Sequence, residues 1–555
     1  METIRQFAAD LSGTVWGWPD LFPAMVAALL LTGLFTTVSL RFLQLRGLKH
    51  SLDIIRGKYD DPKHAGDLSH FQALTTALSA TIGIGNIAGV ATAIHYGGPG
   101  ALFWMWVTAV FGMALKYTEC TLSLKHRSIL ADGKVAGGPM YYIEKGLGRR
   151  WKPLAVVFAV CAATSSFGSG NSIQAFTVAD QLRADLGVPT WLTGVVSASL
   201  IAAVILGGIT RIGLVTSRLV PFMAAVYVTG ALLVLALNLP AVPGILVLVF
   251  KSAFQPAAQV GGFAGGTFIF MLTWGVKRGL FSNESGQGSA PIAHAAARTD
   301  EPVREGMVAL MEPFIDTLVI CTLTGLVILS TGVWDDKQPA ELPINPQTDL
   351  VVINRDAGVG INGRVAAADR FSGVLYIDQG RPTDASLVYN HSLVGQPRVL
   401  QDGRVWQGTI AVANGVIDFS AIPALRLAGD VTLNGSPLTA WAFQRGLAPL
   451  AGRWGFLVVT VGVVLFGIST AISWSYYGDR AVVYLWGPRG VLPYKILFCV
   501  MNFLGAVFSL EIVWNFGDTA LGLMALPNLL ALVLLNRQVR GLTQDYASRR
   551  RATRR

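Results

Sequence analysis

The sequence predicts an all-α protein that crosses a membrane many times. Of its 555 residues, 52% are hydrophobic and only 14% are charged, whereas soluble domains carry about 25% charged residues. The mean hydropathy is +0.51, and the apolar residues form runs of about 20 residues, the length that spans a bilayer as a helix. This balance excludes a soluble enzyme, a nucleic-acid-binding protein and a disordered chain.

The apolar runs predict about eleven transmembrane helices. They lie near residues 21–40, 71–96, 99–124, 153–179, 190–209, 218–238, 266–293, 307–333, 450–478, 490–509 and 518–536. Glu2 and Asp10 precede the first run and Arg41 follows it, which is the reverse of the charge order in a signal peptide. We therefore expect this run to be a retained helix with its N-terminus outside.

Basic residues mark one side of the membrane. Arginines and lysines gather after alternate predicted helices, as in residues 41–63 and 125–152, and again in the tail at 541–555. Because basic loops stay on the cytoplasmic side, these segments and the C-terminus are predicted to be cytoplasmic. The net charge of +10 is then a signal of orientation rather than of nucleic-acid binding. We predict a plasma membrane protein, in the bacterial inner membrane.

Residues 334–446 do not fit a membrane. Short runs rich in valine and isoleucine, at 350–353, 373–377 and 408–412, alternate with glycine, aspartate, asparagine and proline. We predict an inserted β-rich domain on the extracytoplasmic side, with a long disordered loop as the alternative. The predicted divisions are helices 1–8 within 1–333, the inserted domain at 334–446, helices 9–11 within 447–540 and the tail at 541–555.

Two of the predicted helices are interrupted, at residues 78–89 (LSATIGIGNIAG) and 279–291 (GLFSNESGQGSAP). Glycine and proline at membrane depth release backbone groups that lipid cannot satisfy. Each break lies in the first helix of a block of five predicted helices, 71–238 or 266–536. Because five is odd, the second block crosses the membrane in the opposite direction to the first. Paired breaks in inverted repeats indicate the central site of a secondary transporter. Half-helix N–H groups suit a carboxylate, and freed carbonyls suit a cation.

Individual residues at the breaks have alternative interpretations. The spacing from Gly85 to Gly89 also matches a helix-packing seam. Glu284 is a costly charge at midplane, so it is either a coupling group or half of a structural ion pair with Lys277 or Arg278.

Polar residues on other predicted helices also have two interpretations. Ser469 and Thr470 offer adjacent hydroxyl oxygens to a cation, although such hydroxyls often bond to their own helix. Lys116 and Glu119 are expected to form a helix-end pair. The four cysteines and seven histidines show no metal-ligand spacing, so no transition-metal site and no cofactor are predicted.

Five segments carry a family resemblance: 80–94 (ATIGIGNIAGVATAI), 97–101 (GGPGA), 279–284 (GLFSNE), 288–291 (GSAP) and 474–478 (WSYYG). In these segments the sequence resembles the sodium:alanine (and glycine) symporter family of amino-acid transporters. The resemblance implies the five-plus-five inverted-repeat (LeuT-like) fold with one extra N-terminal helix. It also implies Na⁺-driven import of a small amino acid.

The resemblance further implies which residues form the sites. The implied substrate-binding residues are Thr81, Gly83, Ile84, Gly85, Asn171, Gln174, Phe281, Ser282, Asn283 and Trp474. The implied sodium ligands are carbonyls of Ser79 and Ile82 with the hydroxyls of Ser469 and Thr470. Family members commonly have threonine, alanine and methionine where Ile84, Ser285 and Gln287 stand, so the sequence leaves the amino acid open.

We therefore predict a sodium-coupled importer of a small neutral amino acid such as alanine or glycine, and not an enzyme. Its predicted partners are the amino acid, Na⁺ as the coupling ion and the lipid bilayer, without nucleic acid, and no oligomeric state is predicted. One alternative is an amino-acid sensor in which a transporter-like core serves the external β-domain. The other is a proton-coupled transporter that uses Glu284.

Overall fold

The computed structural model describes most of the chain. It covers residues 2–19, 23–130, 133–255, 268–345, 348, 350–355, 357, 367–389, 392–419, 424–508 and 511–552. Some predictions fall partly outside the described residues. They are the first two residues of the runs predicted at 21–40 and 266–293, residue 509 of the run at 490–509, parts of the β-rich segment, and tail residues 553–555.

Most described residues are helical. The helices are α1 Glu2–Gly17, α2 Ala24–Ser39, α3 Leu43–Ile55, α4 His70–Thr81, α5 Val90–Gly97, α6 Gly100–Lys125, α7 Pro139–Gly146, α8 Lys152–Phe167, α9 Ile173–Leu186, α10 Thr190–Ile205, α11 Gly208–Leu237, α12 Val242–Ser252, α13 Phe268–Asn283, α14 Ala290–His294, α15 Pro302–Ala309, α16 Met311–Pro313, α17 Thr322–Ser330, α18 Gly435–Ala451, α19 Leu457–Trp486, α20 Val491–Val507 and α21 Glu511–Ala552. Wider π-helical segments lie at Gly85–Gly89, Gly168–Ser172 and Phe314–Cys321.

Several of these helices can cross a membrane. Within the described ranges, seven are long and apolar enough, and up to nine if each of two bent pairs counts as one span. The seven are Gly100–Lys125, Arg149–Leu186, Gly208–Leu237, Pro302–Ser330, Gly435–Trp486, Pro488–Val507 and Asn515–Ala552. One bent pair, α2 with α3, turns by 76°, and the other, α4 with Gly85–Gly97, turns by 54°. The protein is thus a polytopic membrane protein, and the number eleven stays a prediction.

Both predicted interruptions are present. The first separates α4 from α5, where Ile82 leaves the helix with ψ 84°. The second separates α13 from α14, where Glu284, Gly286 and Gly288 have positive φ angles of 53°, 83° and 86°. A right-handed helix cannot continue through residues in this region of backbone space, which glycine adopts readily.

Residues 337–432 are rich in strands. The strands are β3 Lys337–Pro343, β4 Leu350–Asn354, β5 Gly373–Asp378, β6 Arg381–Pro382, β7 Ala385–Tyr389, β8 Ser392–Leu393, β9 Gly395–Gln401, β10 Arg404–Val405, β11 Gly408–Ala413, β12 Val416–Ile417 and β13 Leu425–Thr432. The first two strands, β1 Ser128–Ile129 and β2 Val135–Ala136, lie earlier in the chain and form a separate short hairpin.

The strands of residues 337–432 form antiparallel sheets in the orders β10-β9-β13-β3, β12-β11-β5-β6 and β4-β7-β8. Buried Val352, Leu375, Ile410 and Leu427 pack together between them. Residues 435–446, which the sequence analysis places in this β-rich domain, belong instead to α18. The segment is joined to the helices by short connections at both ends.

A buried ionic network links several of the helices. The Lys116 ammonium on α6 lies 3.0 Å from a carboxylate oxygen of Glu312 on α16. The His294 ring at the end of α14 bonds Glu312 at 2.7 Å and Glu305 on α15 at 2.5 Å. Glu305 in turn bonds His70 at the start of α4. Because all five side chains are buried, the network fixes five helices relative to one another.

The prediction that Lys116 pairs with Glu119 is wrong. Lys116 uses Glu312, and Glu119 accepts a hydrogen bond of 2.5 Å from the Asn528 amide on α21. Both side chains are fully buried against other helices, so tertiary contacts decide their partners.

Candidate functional site

At the first break an asparagine side chain, rather than a backbone carbonyl of the helix, accepts the hydrogen bond of a backbone N–H group. The Gly83 N–H donates to Asn86 Oδ1 at 2.8 Å, so this backbone donor is satisfied although the helix has ended. The nearest atom to a β-carbon built on Gly85 is Ser282 Cα, at 3.5 Å. The two interrupted helices therefore meet directly.

Asn86, Ser282 and Asp316 form the centre of this meeting point. The Asn86 amide donates to Asp316 Oδ1 at 2.5 Å and to Ser282 Oγ at 3.2 Å. The other carboxylate oxygen of Asp316 accepts from the hydroxyls of Ser282 and Thr317, each at 2.7 Å. All four side chains are buried. No lysine, arginine or histidine among the described residues forms an ion pair with Asp316.

Asp316 is not among the site residues predicted from the sequence. It is the one charged residue between Pro313 and Val333, in a run otherwise typical of a membrane helix. An ionisable residue in such a run is a functional candidate by default, because burying an unpaired charge is costly. That single signal was available in the sequence and would have identified it.

Three of the four predicted cation ligands, Ser79, Ser469 and Thr470, lie together where α4 packs on α19. Ser79 Oγ donates to the Ser469 carbonyl at 2.8 Å, and Ser469 Oγ lies 3.4 Å from the Ser79 carbonyl. Thr470 Oγ1 is buried and has no hydrogen-bond partner in the described structure. It would lie 2.7 Å from a β-carbon placed on Gly83. The hydroxyl thus points at the break, beside the last residues of α4.

Glu284 is held by neutral groups. Its carboxylate accepts a hydrogen bond of 3.0 Å from Trp474 Nε1 and another from the Ser289 hydroxyl. The ion pair considered with Lys277 or Arg278 is not formed. Those two cations lie over aromatic rings instead, with Arg278 5.2 Å from the centre of the Trp274 ring.

Trp474 connects the second break to the helix α8–α9. A β-carbon added to Gly170, in the π-helical segment between α8 and α9, would lie 2.4 Å from Trp474 Cγ. The indole therefore fits only because position 170 carries no side chain. Trp474 therefore contacts both Glu284 of the second break and Gly170 between α8 and α9.

Other predicted substrate residues on the second break are placed nearby. The Asn283 amide donates to Thr317 Oγ1 at 3.3 Å, next to Asp316. The Phe281 ring is 5.1 Å from the Trp16 ring of α1. Ser282 and Asn283 therefore face the centre of the site, and Phe281 packs under the N-terminal helix.

Three of the predicted substrate-binding residues form hydrogen bonds with groups away from the two breaks or within their own helix. Asn171 donates to the Phe498 carbonyl and accepts from Asn502, both at 2.7 Å and both on α20. The Thr81 hydroxyl lies 3.4 Å from carbonyls of its own helix. Gln174 donates to the Ser169 carbonyl at 3.0 Å, while its Oε1 is buried without a described partner.

Helix α18 packs over one end of the first break. Thr439 on α18 donates to the Ile87 carbonyl at 3.0 Å. Asn434, just before α18, donates to the Tyr96 hydroxyl at 3.3 Å. Because β13 ends at Thr432, two residues before Asn434, the strand-rich segment is directly attached to the element that covers the break.

A group of possible metal ligands does not fit a metal site. Cys120, His294 and Glu312 offer ligand atoms within 4.8 Å of one another. Both nitrogens of His294 are already bonded to carboxylates, and Lys116 occupies the second oxygen of Glu312. The donor set is used by the ionic network.

Comparison with known proteins gives consistent matches along the chain. The model of the sodium:alanine symporter family matches residues 1–348 and 410–555, so the unmatched residues 349–409 lie in the strand-rich segment. The sodium/alanine symporter AgcS of Methanococcus maripaludis is 40% identical over 96% of this chain and 95% of its own length. Two Bacillus subtilis proteins are each 30% identical. The putative sodium/proton-dependent alanine carrier protein YrbD matches over 98% of this chain and 92% of its own length. The probable sodium/glutamine symporter GlnT matches over 95% and 88%.

Proposed function

The chain belongs to the sodium:alanine symporter family, and we propose that it imports a small neutral amino acid, such as alanine or glycine, together with Na⁺. The observation that carries this proposal is the direct meeting of two interrupted helices at Asn86, Ser282 and Asp316. Transport by alternating access needs a polar site at this depth that both sides can reach in turn. Relatives that are named as carriers of alanine and glutamine support an amino-acid substrate.

We propose that the substrate binds between the two breaks, with Trp474 at the edge. The contact of Gly85 with Ser282 and the close packing of Gly170 on Trp474 support a small substrate. The backbone around Gly83, Ile84 and Gly85 would receive the carboxylate at a half-helix end. Ser282, Asn283, Phe281 and Gln174 would line the space. Thr81 and Asn171, whose polar groups are bonded within the protein, would support the site rather than bind.

We propose that Na⁺ binds where α4 meets α19. Carbonyls of Ser79 and Ile82 and the hydroxyls of Ser469 and Thr470 supply only oxygen atoms. Such atoms at the C-terminal end of a half-helix suit a hard cation. The buried, unpartnered Thr470 hydroxyl supports this placement, since a buried polar group without a partner is rare.

Replacing Thr470 by alanine should raise the Na⁺ concentration that gives half-maximal alanine uptake by about tenfold or more, because one ligand to the cation is lost. The measurement is uptake into proteoliposomes over a range of Na⁺ concentrations. The matched control is Ser475→Ala on the same helix, whose hydroxyl is bonded to the Ile472 carbonyl. If Thr470→Ala and Ser475→Ala show the same Na⁺ dependence, the cation does not bind at this position.

Replacing Gly83 by alanine should have a similar effect for a steric reason. The new β-carbon would lie 2.7 Å from Thr470 Oγ1, so the hydroxyl must move away from the break. We expect the half-saturating Na⁺ concentration to rise about tenfold. Gly244→Ala is the control, because a β-carbon at Gly244 meets no atom within 4 Å. A Gly83→Ala protein with wild-type Na⁺ dependence would contradict the arrangement.

Proton coupling is the second candidate. Asp316 and Glu284 are buried carboxylates whose described hydrogen bonds come from neutral groups, and such a carboxyl group can carry a proton as well as face a cation. The relative YrbD is named as sodium/proton-dependent. Uptake driven by a pH gradient in the complete absence of Na⁺ would favour this candidate over sodium symport.

An amino-acid sensor is the remaining alternative. The strand-rich segment is attached to α18, which bonds the first break at Ile87, so occupancy of the site could be passed to that segment. Exchange of labelled for unlabelled alanine across a liposome membrane separates the two functions, because a sensor binds its ligand without flux.

We also propose the finer architecture that the resemblance implies. The core would be two inverted blocks of five helices within eleven crossings, with the strand-rich segment outside, the N-terminus outside and the C-terminus in the cytoplasm of a bacterium. The paired breaks and the basic segments between alternate spans support this arrangement.

A further inference from the structure

A cavity of about 430 Å³ lies at the end of α2, between α3, α15 and α21. Its walls contain five arginines and no acidic residue among the described residues: Arg41, Arg46, Arg540, Arg550 and Arg551. Thr543 and Tyr546 also line it, with their hydroxyl groups bonded to Tyr117 and His50. Five like charges around one cavity repel one another unless an anion is present.

Most of these arginines are not neutralised within the protein. Four form no ion pair with any described acidic residue: Arg41, Arg46, Arg540 and Arg551. The acidic groups close by, Glu301 and Asp545, are both bonded to Arg549, at 2.7 and 2.9 Å. Arg46 donates to the carbonyls of Leu40 and Arg41, which fixes its guanidinium at the cavity. The cavity therefore has a strong, uncompensated positive charge.

The bend between α2 and α3 would place the cavity at the level of the lipid headgroups. Helix α2 turns into α3 through 76°, so α3 runs nearly parallel to the membrane if α2 spans it. On its outer face α3 exposes Leu45 and Leu52 (62% and 40%), as expected for a helix at the acyl boundary. Asn536 on α21 donates to Ser39 Oγ at 2.6 Å, which holds α21 at the same level. Arginines and exposed apolar side chains thus lie side by side.

We propose that this cavity binds the phosphate headgroup of an anionic phospholipid, whose acyl chains lie against the exposed face of α3. Guanidinium groups bind phosphate through paired hydrogen bonds, and basic cavities between helices on the cytoplasmic side are suited to anionic headgroups. A bound lipid would connect α2, α3, α15 and α21. This proposal is independent of which amino acid or ion the protein carries.

The test compares lipid retention by the purified full-length protein. Native mass spectrometry in detergent measures binding of phosphatidylglycerol and of phosphatidylcholine as the uncharged reference. The variant is Arg41→Gln/Arg46→Gln/Arg540→Gln, and the control is Arg56→Gln/Arg211→Gln/Arg537→Gln, three exposed arginines outside the cavity. We expect about tenfold weaker binding of phosphatidylglycerol by the cavity variant and unchanged binding by the control.

Two further measurements keep the result interpretable. Added phosphatidylglycerol should raise the melting temperature of the wild-type protein more than phosphatidylcholine does, which requires no variant. Glycerol 3-phosphate should not displace the bound lipid at millimolar concentration. The proposal is overturned if the two triple variants lose phosphatidylglycerol equally. It is also overturned if glycerol 3-phosphate displaces the lipid, since the ligand is then a soluble phosphate compound.

Discussion

Replacement of Asp316 by asparagine is expected to reduce the cation-driven accumulation of amino acid by about 100-fold. The carboxylate lies where both interrupted helices meet, and it accepts hydrogen bonds from Asn86, Ser282 and Thr317. Asparagine keeps the size of the side chain but removes the charge, and its amide nitrogen faces groups that are already donors. Each hydrogen bond to a charged group contributes about 1.5–3 kcal/mol, so the meeting point should lose its geometry, and the proposed substrate site between the two breaks should lose affinity for the amino acid.

The measurement is uptake of labelled alanine into proteoliposomes under an imposed ion gradient. Asp336→Asn is the control, because Asp336 pairs with Arg445 at 3.1 Å on an exposed surface, where such pairs contribute little. Accumulation by Asp316→Asn at the level of Asp336→Asn would show that the carboxylate takes no part in coupling, and the meeting point would then be structural.

The second large effect is on stability. Replacing Lys116 by methionine should lower the free energy of unfolding by about 3–5 kcal/mol, because removing one partner of a buried ion pair leaves an uncompensated charge. Glu312 would keep only the His294 ring as a cationic neighbour, and His294 is shared with Glu305. The expected readout is a lower melting temperature in detergent than that of Lys125→Met, which changes an exposed lysine at the end of the same helix.

A double variant separates the ion pair from simple packing. Lys116→Met combined with Glu312→Gln removes both charges, so it should recover part of the stability lost by Lys116→Met alone. Two results would contradict a stabilising role for the ionic network. One is equal melting temperatures for Lys116→Met and Lys125→Met. The other is a double variant, Lys116→Met/Glu312→Gln, that is less stable than Lys116→Met.

The positions of the helix breaks could be predicted because their cause is local. Glycine at positions 286 and 288 adopts backbone angles that end a helix, and the polar residues around Gly83 cannot face lipid. Ser79 and Ser469, which the family resemblance implies as ligands of one cation, are neighbours, since the Ser79 hydroxyl donates to the Ser469 carbonyl. The backbone angles of a glycine and the cost of a polar residue facing lipid each depend on the residue type at one position, so both can be read from the sequence.

Side-chain partners could not be predicted in the same way. Lys116 bonds a residue 196 positions away, and Glu284 bonds Trp474, 190 positions away, rather than the neighbouring cations. Asn171 is turned towards α20 by Asn502. These choices depend on which helices pack together, and one sequence does not contain that information. Asp316 is different, since its isolation in an apolar run was visible and only its partners needed the structure.

The most direct test of sodium-coupled import is uptake of labelled alanine and glycine into proteoliposomes, with an inward Na⁺ gradient compared with a matched K⁺ gradient. We predict accumulation above the external concentration under the Na⁺ gradient only. Absence of flux under both gradients, from a folded protein that still binds the amino acid, would contradict sodium symport and would favour a sensor.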